Sequence, residues 1–385
     1  MKVSIIEQPK VIMQNSRSKH NYFAWPTVAR LKNGKIAVAA SGYRQAHACP
    51  FGKAVISFSE DEGKTYTNPT PIIDTVSDDR DGGLTAFGES GVILTSFCNS
   101  LEFQKKHASE YGLAYIATVD PEEATALEGS HFCVSHDNGI SFGDLIPSPV
   151  SSPHGPFELS DGTILWMGNI NSKEEHLKGE TGIWVYKILP DGKMEYQGKV
   201  ENTHRQEGKP FYAEPHCIEL PDGTLIAHIR IQKNGVGRYE IFSLAQTESY
   251  DKGKTWTAPH LILDDLGGAP GHLFRHSSGM LVCTYGCRQA PVGIKAAFSA
   301  DNGKTWDINH NLYINAISGD LGYPSTIELR DGSLLTVFYA HPNAKEDPAV
   351  IMQMNWTFDL AGEGNDADEE FKRRNAQTEN QEVLL

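Results

Sequence analysis

Six times along the chain, two short runs of alternating apolar and polar residues flank a turn ending in glycine. The runs are VARLKNGKIAVAA, LTAFGESGVILTSF, PFELSDGTILWMG, HCIELPDGTLIAHI, HLFRHSSGMLVCTY and TIELRDGSLLTVFY, with turn glycines at Gly34, Gly91, Gly162, Gly223, Gly279 and Gly332. Asp-Gly and Asn-Gly turns need positive φ and are the strongest short-range sign of a β-hairpin. Successive turn glycines are 53 to 71 residues apart, which leaves room for four strands in each unit. The pattern predicts an all-β fold, a six-bladed β-propeller with four-stranded antiparallel blades, because radial repetition leaves no long exposed sheet edge.

This is one domain over residues 1–362. The stretch SIIEQPKVIMQ is expected to supply a strand that closes the ring. The longest step carries LEFQKKHASEYG and VDPEEATALEGS, an insertion with some helix at about 99–131 in the second blade. Residues 363–385 have no strand pattern and read as a short helix or a disordered tail.

A second repeat, S-x-D-x-G-x-[TS]-aromatic, occurs as SEDEGKTY (59–66), SHDNGISF (135–142), SYDKGKTW (249–256) and SADNGKTW (299–306). Asp, Asn and Gly in one turn suggest half of a calcium loop, but none of the four has the further oxygen ligands or closing bidentate glutamate that such a loop uses. A structural turn is expected: Ser and Asp bond backbone N–H groups, Gly takes the left-handed φ and the aromatic packs between sheets. No His/Cys/Asp cluster has metal-ligand spacing, so neither metal nor other cofactor is implied.

If the x-Asp-Gly turns share one end of the ring, the start of each first strand and the end of each second strand share the other. That end collects Ala24 to Pro26, Arg44, Asp79, Arg80, Asp81, Asn99, His154, Asn169, Glu214, Arg230, Pro270, His272, Arg288, Tyr323 and Tyr339. Arginines, a glutamate and a tyrosine converging from several blades predict a binding depression over the axis. Arginine forks grip a carboxylate, and a glutamate beside a phenol can deprotonate it into a nucleophile.

Composition narrows the partners. The chain has 385 residues and a formal net charge of −15, so no basic excess exists to neutralise nucleic acid. A small anionic substrate remains compatible, since a few arginines in one pocket outweigh a distant field. No run of 18 apolar residues occurs, so no membrane span is expected. The six cysteines form no C-x-x-C pair, and no leader pattern follows Met1. A reduced, cytoplasmic protein is the expectation, though a chain with its leader removed would read identically.

The four S-x-D-x-G turns resemble the Asp boxes of the sialidase (neuraminidase) superfamily, bacterial BNR-repeat type, and six units match its propeller over about residues 20–345. AEPHCIELPDGTLIAHIR resembles the segment in which a glutamate opens one strand and a carboxylate-binding arginine ends the next, which implies Glu214 and Arg230. TYGCRQAPVGI implies a second carboxylate-binding arginine, Arg288, and DLGYPSTIEL implies a nucleophilic tyrosine, Tyr323. Arg44, ending AVAASGYR, matches a further pocket arginine. Two departures stand out. Ala24 occupies the place of the family's first-strand arginine, with Ala340 where a supporting glutamate is expected, so Arg44 or Arg80 would substitute. The loop QAHACPFGK has no acid/base aspartate, which leaves His47 as its replacement, with Asp79 or Asp81 as alternatives.

The resemblance implies an exo-acting glycoside hydrolase that removes a terminal acidic sugar, sialic acid foremost, from an oligosaccharide or glycoconjugate. Tyr323, Glu214 and His47 would be catalytic, and Arg44, Arg80, Asp81, Arg230 and Arg288 would bind substrate. The alternatives are a propeller glycosidase or polysaccharide lyase acting on a uronate-containing glycan, and a non-catalytic carbohydrate-binding propeller.

Overall fold

A computed structural model, which describes residues 1–235, 239–262 and 268–359, shows a six-bladed propeller of antiparallel sheets. Blade one is Tyr22–Arg30, Ile36–Arg44, Lys53–Ser59 and Thr70–Ile73, hydrogen-bonded in that order. The other blades repeat the order, and the first strands of neighbouring blades touch, so they line the axis. In blade three the first strand is broken into Val150–Ser151 and Phe157–Glu158. Three short helices, Leu101–His107, Glu110–Ile116 and Pro121–Ala126, intervene between the second and third strands of blade two. The tail at 363–385 lies outside the described residues.

Middle strands are covered on both faces by neighbouring blades, so their alternation gives way to continuous burial. Every residue of Leu281–Cys287 and of Leu334–Ala340 is buried. Apolar clusters therefore form between blades: Phe23, Val38 and Val55 of blade one pack with Leu335, Val337 and Tyr339 of blade six.

The ring is closed by pairing the two ends of the chain. Lys2–Met13 adds as the outer strand of blade six, antiparallel to Val350–Asp359, with Lys2 opposite Asp359 and Met13 opposite Ile351. The four recurrent turns are built alike. In the first, Ser59 Oγ accepts from Gly63 N at 2.9 Å, and Asp61 accepts from Thr65 N and Thr65 Oγ1 at 2.9 and 2.6 Å. The turns at 135, 249 and 299 repeat these bonds.

Three of the turns, those at 59, 249 and 299, also dock on the preceding blade. Gln353 Nε2 donates to Gly63 O, Gln246 Nε2 to Gly303 O and Gln197 Nε2 to Lys252 O, at 2.8–3.1 Å. A glutamate at the end of the first strand braces the hairpin of the previous blade in the same repetitive way. Glu158 accepts from Gly88 N, Glu219 from Ser160 and Glu328 from Ser277. The motif E-L-x-D-G thus carries an inter-blade contact as well as a turn.

Near the axis, first-strand residues His216 and His272 and the neighbouring His154 form a trio with ring centroids 4.2, 5.0 and 5.4 Å apart. Nδ1 of His216 accepts from Leu273 N at 2.9 Å, and Nδ1 of His272 from Thr326 N at 3.3 Å. Both rings are therefore Nε2–H tautomers. Burial lowers His154 to about 3 and holds His216 and His272 well below the ordinary value.

Two outcomes follow from this architecture. Deleting residues 2–13 bares the edge of Val350–Asp359 and opens the ring, so the melting midpoint should fall by at least about 5 °C; a truncated chain that melts like the whole one contradicts this. The axial imidazoles must stay neutral in the folded state, while unfolded histidine titrates near 6.5. Their contribution is complete above about pH 6.5 and is lost as pH falls toward the folded-state values. By pH 5 this amounts to about 2 kcal/mol per imidazole. Denaturant titrations at pH 7.5 and 5 should show the loss, with a smaller loss for His154→Gln.

Candidate active site

At the end of the ring opposite the hairpin turns, the first strands slip register. The jumps fall between Ala24 and Thr27, Arg80 and Gly83, Ala213 and His216, Gly268 and Gly271, and Gly322 and Ser325. Four of these bulges hold a non-glycine residue at positive φ: Trp25 (55°), Asp81 (52°), Glu214 (52°) and Tyr323 (49°). In blade three Gly155 (φ 80°) lies in the gap between the two inner segments, so that blade offers no side chain there.

An extra left-handed residue breaks the in–out alternation of a strand and re-aims its side chain. Proline follows Trp25, Gly155, Glu214 and Tyr323, and its missing N–H is tolerated where the ladder is interrupted. Asp81 is followed instead by Gly82, whose Cβ position would lie 2.6 Å from Ala40 N of blade one, leaving room only for hydrogen. Bulky residues in this conformation cost about 1–3 kcal/mol each. Four on one end of a ring make that end the candidate site.

Two of them meet. Tyr323 Oη donates to Glu214 Oε1 at 2.6 Å, and Arg230 Nη1 donates to both carboxylate oxygens at 2.8 and 2.7 Å. Burial first, then the Glu214 charge, raises the phenol well above its ordinary value, while Arg230 and Arg288 oppose them. Arg230 also donates to Gln232 Oε1. Arg230 and Arg288 both lie over the Phe242 ring, at 4.7 and 5.4 Å, and Arg288 Nη2 donates to Leu321 O at 3.3 Å. Asn169 of blade three fixes the Glu214 bulge from behind: its Oδ1 accepts from Glu214 N at 3.0 Å and its Nδ2 donates to Tyr212 O at 2.9 Å. Glu214, Tyr323, Arg230 and Arg288 are thus brought together from blades four, five and six.

The other two expected arginines differ. Arg44 is 0 % exposed and paired with the equally buried Asp78 at 2.5 Å, with Nη1 on Ser41 Oγ and Nη2 on His47 O. Burial alone would lower its pKa, but Asp78 outweighs it and keeps the charge. Arg44 therefore supports the site from beneath; as a direct substrate contact it is corrected. Arg80 lies 4.1 Å over the Trp25 ring and donates to His47 O at 2.5 Å. Beside the buried Ala24, Trp25 thus fills the bulge of blade one, and Arg80 brings a guanidinium onto it.

The acid/base candidates also separate. Asp79 is buried and accepts from Thr75 N, Thr75 Oγ1 and Cys98 Sγ, so it caps a loop and cannot reach a ligand. Asp81 is part-exposed, and burial pushes it up to about 7 against the pull of Arg80. The Glu214 charge acts in the same direction, and Asp81 in turn raises the Tyr323 phenol. His47 has a side chain 56 % exposed, and its Nδ1 lies 3.2 Å from Tyr22 Oη and 3.3 Å from Asp320 Oδ1.

Asp320 was missed as a site residue. Its carboxylate also accepts from Tyr22 Oη at 2.8 Å, Tyr339 Oη at 3.1 Å and His341 Nε2 at 3.2 Å. The signal was present in DLGYP, where it stands three positions before Tyr323. Its role depends on Tyr22, 298 positions away, which no local pattern connects to it.

Among the described residues no group of three or more His, Cys, Asp or Glu side chains has an arrangement that could hold a metal ion. In the axial trio, the Nδ1 atoms of His216 and His272 are committed to backbone N–H donors, so the Nε2 atoms of these two rings carry hydrogen. A cleft of ≈ 980 Å³ lies elsewhere, between blades two and three beside the turn residues Asp137, Asp161 and Asp191.

Neither a protein-family model nor a curated protein sequence matches the chain. Solved structures do match it. A protein of unknown function from Dyadobacter fermentans is 21% identical, covering 93% of this chain and 99% of that one, with a TM-score of 0.70. The intramolecular trans-sialidase from Ruminococcus gnavus, in complex with oseltamivir carboxylate, is 14% identical over 92% of this chain and 98% of its own, with a TM-score of 0.61. The Trypanosoma rangeli sialidase, in complex with the inhibitor DANA, is 17% identical over 92% of this chain, which spans 59% of that protein, with a TM-score of 0.58. At these identities the likeness is one of fold: this chain shares the six-bladed propeller of these structures.

Proposed function

We propose that the protein is an exo-acting glycoside hydrolase that removes a terminal acidic sugar, sialic acid, from glycans with retention of configuration. The observation that carries this reading is the 2.6 Å hydrogen bond from Tyr323 Oη to Glu214, on a carboxylate that Arg230 also grips. Glu214 takes the phenolic proton as Tyr323 Oη attacks the anomeric carbon. A phenol suits an anionic substrate, which would repel a carboxylate nucleophile, and tyrosine is the known exception to the two-carboxylate rule. Arg230 and Arg288 face the sugar carboxylate, with Arg80 on its Trp25 platform in place of a third clamp arginine.

His47, as imidazolium, gives its Nε2 proton to the glycosidic oxygen as the C–O bond breaks. Water then attacks the anomeric carbon of the tyrosyl intermediate and returns a proton to His47, while the phenolate leaves and recovers its proton from Glu214. Asp81, part-exposed beside Glu214 and Tyr323, would contact substrate hydroxyls as a neutral or ionised carboxyl.

A second reading is a lyase acting on a uronate-containing glycan. It draws on Ala24 in place of a clamp arginine and on His47, whose ring could abstract a proton beside a carboxylate. A third, a binding propeller without turnover, draws on the same loss.

Purified protein should release free sialic acid from a fluorogenic sialoside, and Tyr323→Phe should lower kcat/KM by at least about 10³-fold with the fold intact. An ultraviolet-absorbing unsaturated product from a uronide glycan, with no sialoside turned over, would replace the hydrolase by the lyase. Ligand-dependent stabilisation with neither product would leave the binding propeller.

A further inference from the structure

We propose that Asp320 is the positioning residue for proton transfer at His47, holding the imidazole in the tautomer that presents Nε2 to the leaving-group oxygen. The proposal rests on the hydrolase reading above.

The tautomer follows from the neighbours. Tyr22 Oη donates its proton to Asp320 Oδ2 at 2.8 Å, so toward His47 it offers only an oxygen lone pair. Nδ1 of His47 thus faces two acceptors, that oxygen at 3.2 Å and Asp320 Oδ1 at 3.3 Å, and must carry the hydrogen. Nε2 faces a donor, Arg80 Nη2 at 3.5 Å, and keeps its lone pair when the ring is neutral. This is the tautomer that a carboxylate behind an imidazole enforces, with the lone pair left on the other nitrogen, here on the side of Arg80.

Asp320 is itself pinned from two strands, by Tyr22 of blade one and by Tyr339 and the adjacent His341 of blade six. His341 Nδ1 lies 2.5 Å from Asp347 O, so both its nitrogens face oxygen acceptors and both carry hydrogen. The Asp320 hydrogen bond is the main cause that raises its pKa. The Asp320 charge is thereby balanced by His341, and His47 remains free to gain and lose a proton. Burial would raise the Asp320 carboxyl, but hydrogen bonds from His341, His47 and Tyr22 hold it far below the carboxylate range.

The charged and titratable groups facing His47 are Asp320, Arg80, Arg44 and Tyr22. Although the side chain is half-exposed, desolvation of its covered part is the largest influence and lowers its pKa; Arg80 and Arg44 act the same way, and Asp320 opposes them. Removing the Asp320 charge therefore lowers it further. Because Asp320 precedes Tyr323 by three residues, one backbone turn sets both the nucleophile and the support of the proton donor.

The test compares wild type with Asp320→Asn and, as conservative rescue, Asp320→Glu. For sialyllactose, whose sugar leaving group needs a proton, kcat should fall by about 10²-fold in Asp320→Asn and recover in part in Asp320→Glu. For an aryl sialoside with a nitrophenol leaving group the fall should be less than about 5-fold. The high-pH limb of kcat should move to lower pH. Equal losses on both substrates with an unmoved limb would make Asp320 a mere structural support and overturn the proposal.

Nitrogen-15 NMR of the imidazoles gives a readout that needs no turnover and, in wild type, no variant. Neutral His47 should show hydrogen on Nδ1, and its titration should shift downward in Asp320→Asn. Hydrogen on Nε2, or an unshifted titration, overturns the proposal. If wild type turns over no sialoside, the hydrolase reading fails, and the NMR result still decides the positioning.

Discussion

The site depends on a backbone constraint: at the same end of blades one, two, four and six, one first-strand residue is held at φ near +50°. A regular strand would send its side chains alternately into the two neighbouring inter-blade cores. The bulge inserts a residue that belongs to neither core. Proline or glycine next in sequence matches the interrupted ladder, and the packed blades supply the free energy that keeps Trp25, Asp81, Glu214 and Tyr323 in a sparsely populated conformation. Glycine would relieve this strain, as Gly155 does in blade three, but would deliver no side chain.

Charge is organised around these bulges in compensated pairs. Arg44 with Asp78, Arg230 with Glu214, and His341 with Asp320 each bring opposite charges within 3.2 Å. Breaking such a pair is costly, whereas the pair itself adds little net stability. Their value here is geometric. Arg44 fixes the His47 carbonyl, Arg230 fixes the carboxylate that accepts from Tyr323, and His341 balances the carboxylate behind His47. The net charge of −15 is remote from this arrangement, which holds four arginines at one end of the axis.

Much of the fold was legible because its signals are local. Positive-φ turns need glycine, buried strands need apolar alternation, and the S-x-D-x-G turn satisfies its own hydrogen bonds within seven residues. Repetition multiplied each signal. The place of Glu214, Arg230, Arg288 and Tyr323 at one end of the ring followed from the same reasoning, since hairpin turns at one end put strand starts and ends at the other. What failed was exposure. Arg44 stands at the expected strand end, yet Asp78, 34 positions along the chain, draws it beneath the surface.

The amino-acid order by itself determined six hairpins, their polarity and the set of residues delivered to one end of the axis, because each rests on contacts within a few residues. Only the tertiary structure decided which of those residues touch. Glu214 meets Tyr323 across 109 positions, and Asp320 meets Tyr22 across 298, through hydrogen bonds whose geometry exists only after the ring has closed. Hydrogen-bond distances and burial are properties of that closure, and they turn a list of polar strand ends into two connected groups, Tyr323 on Glu214 and Asp320 behind His47.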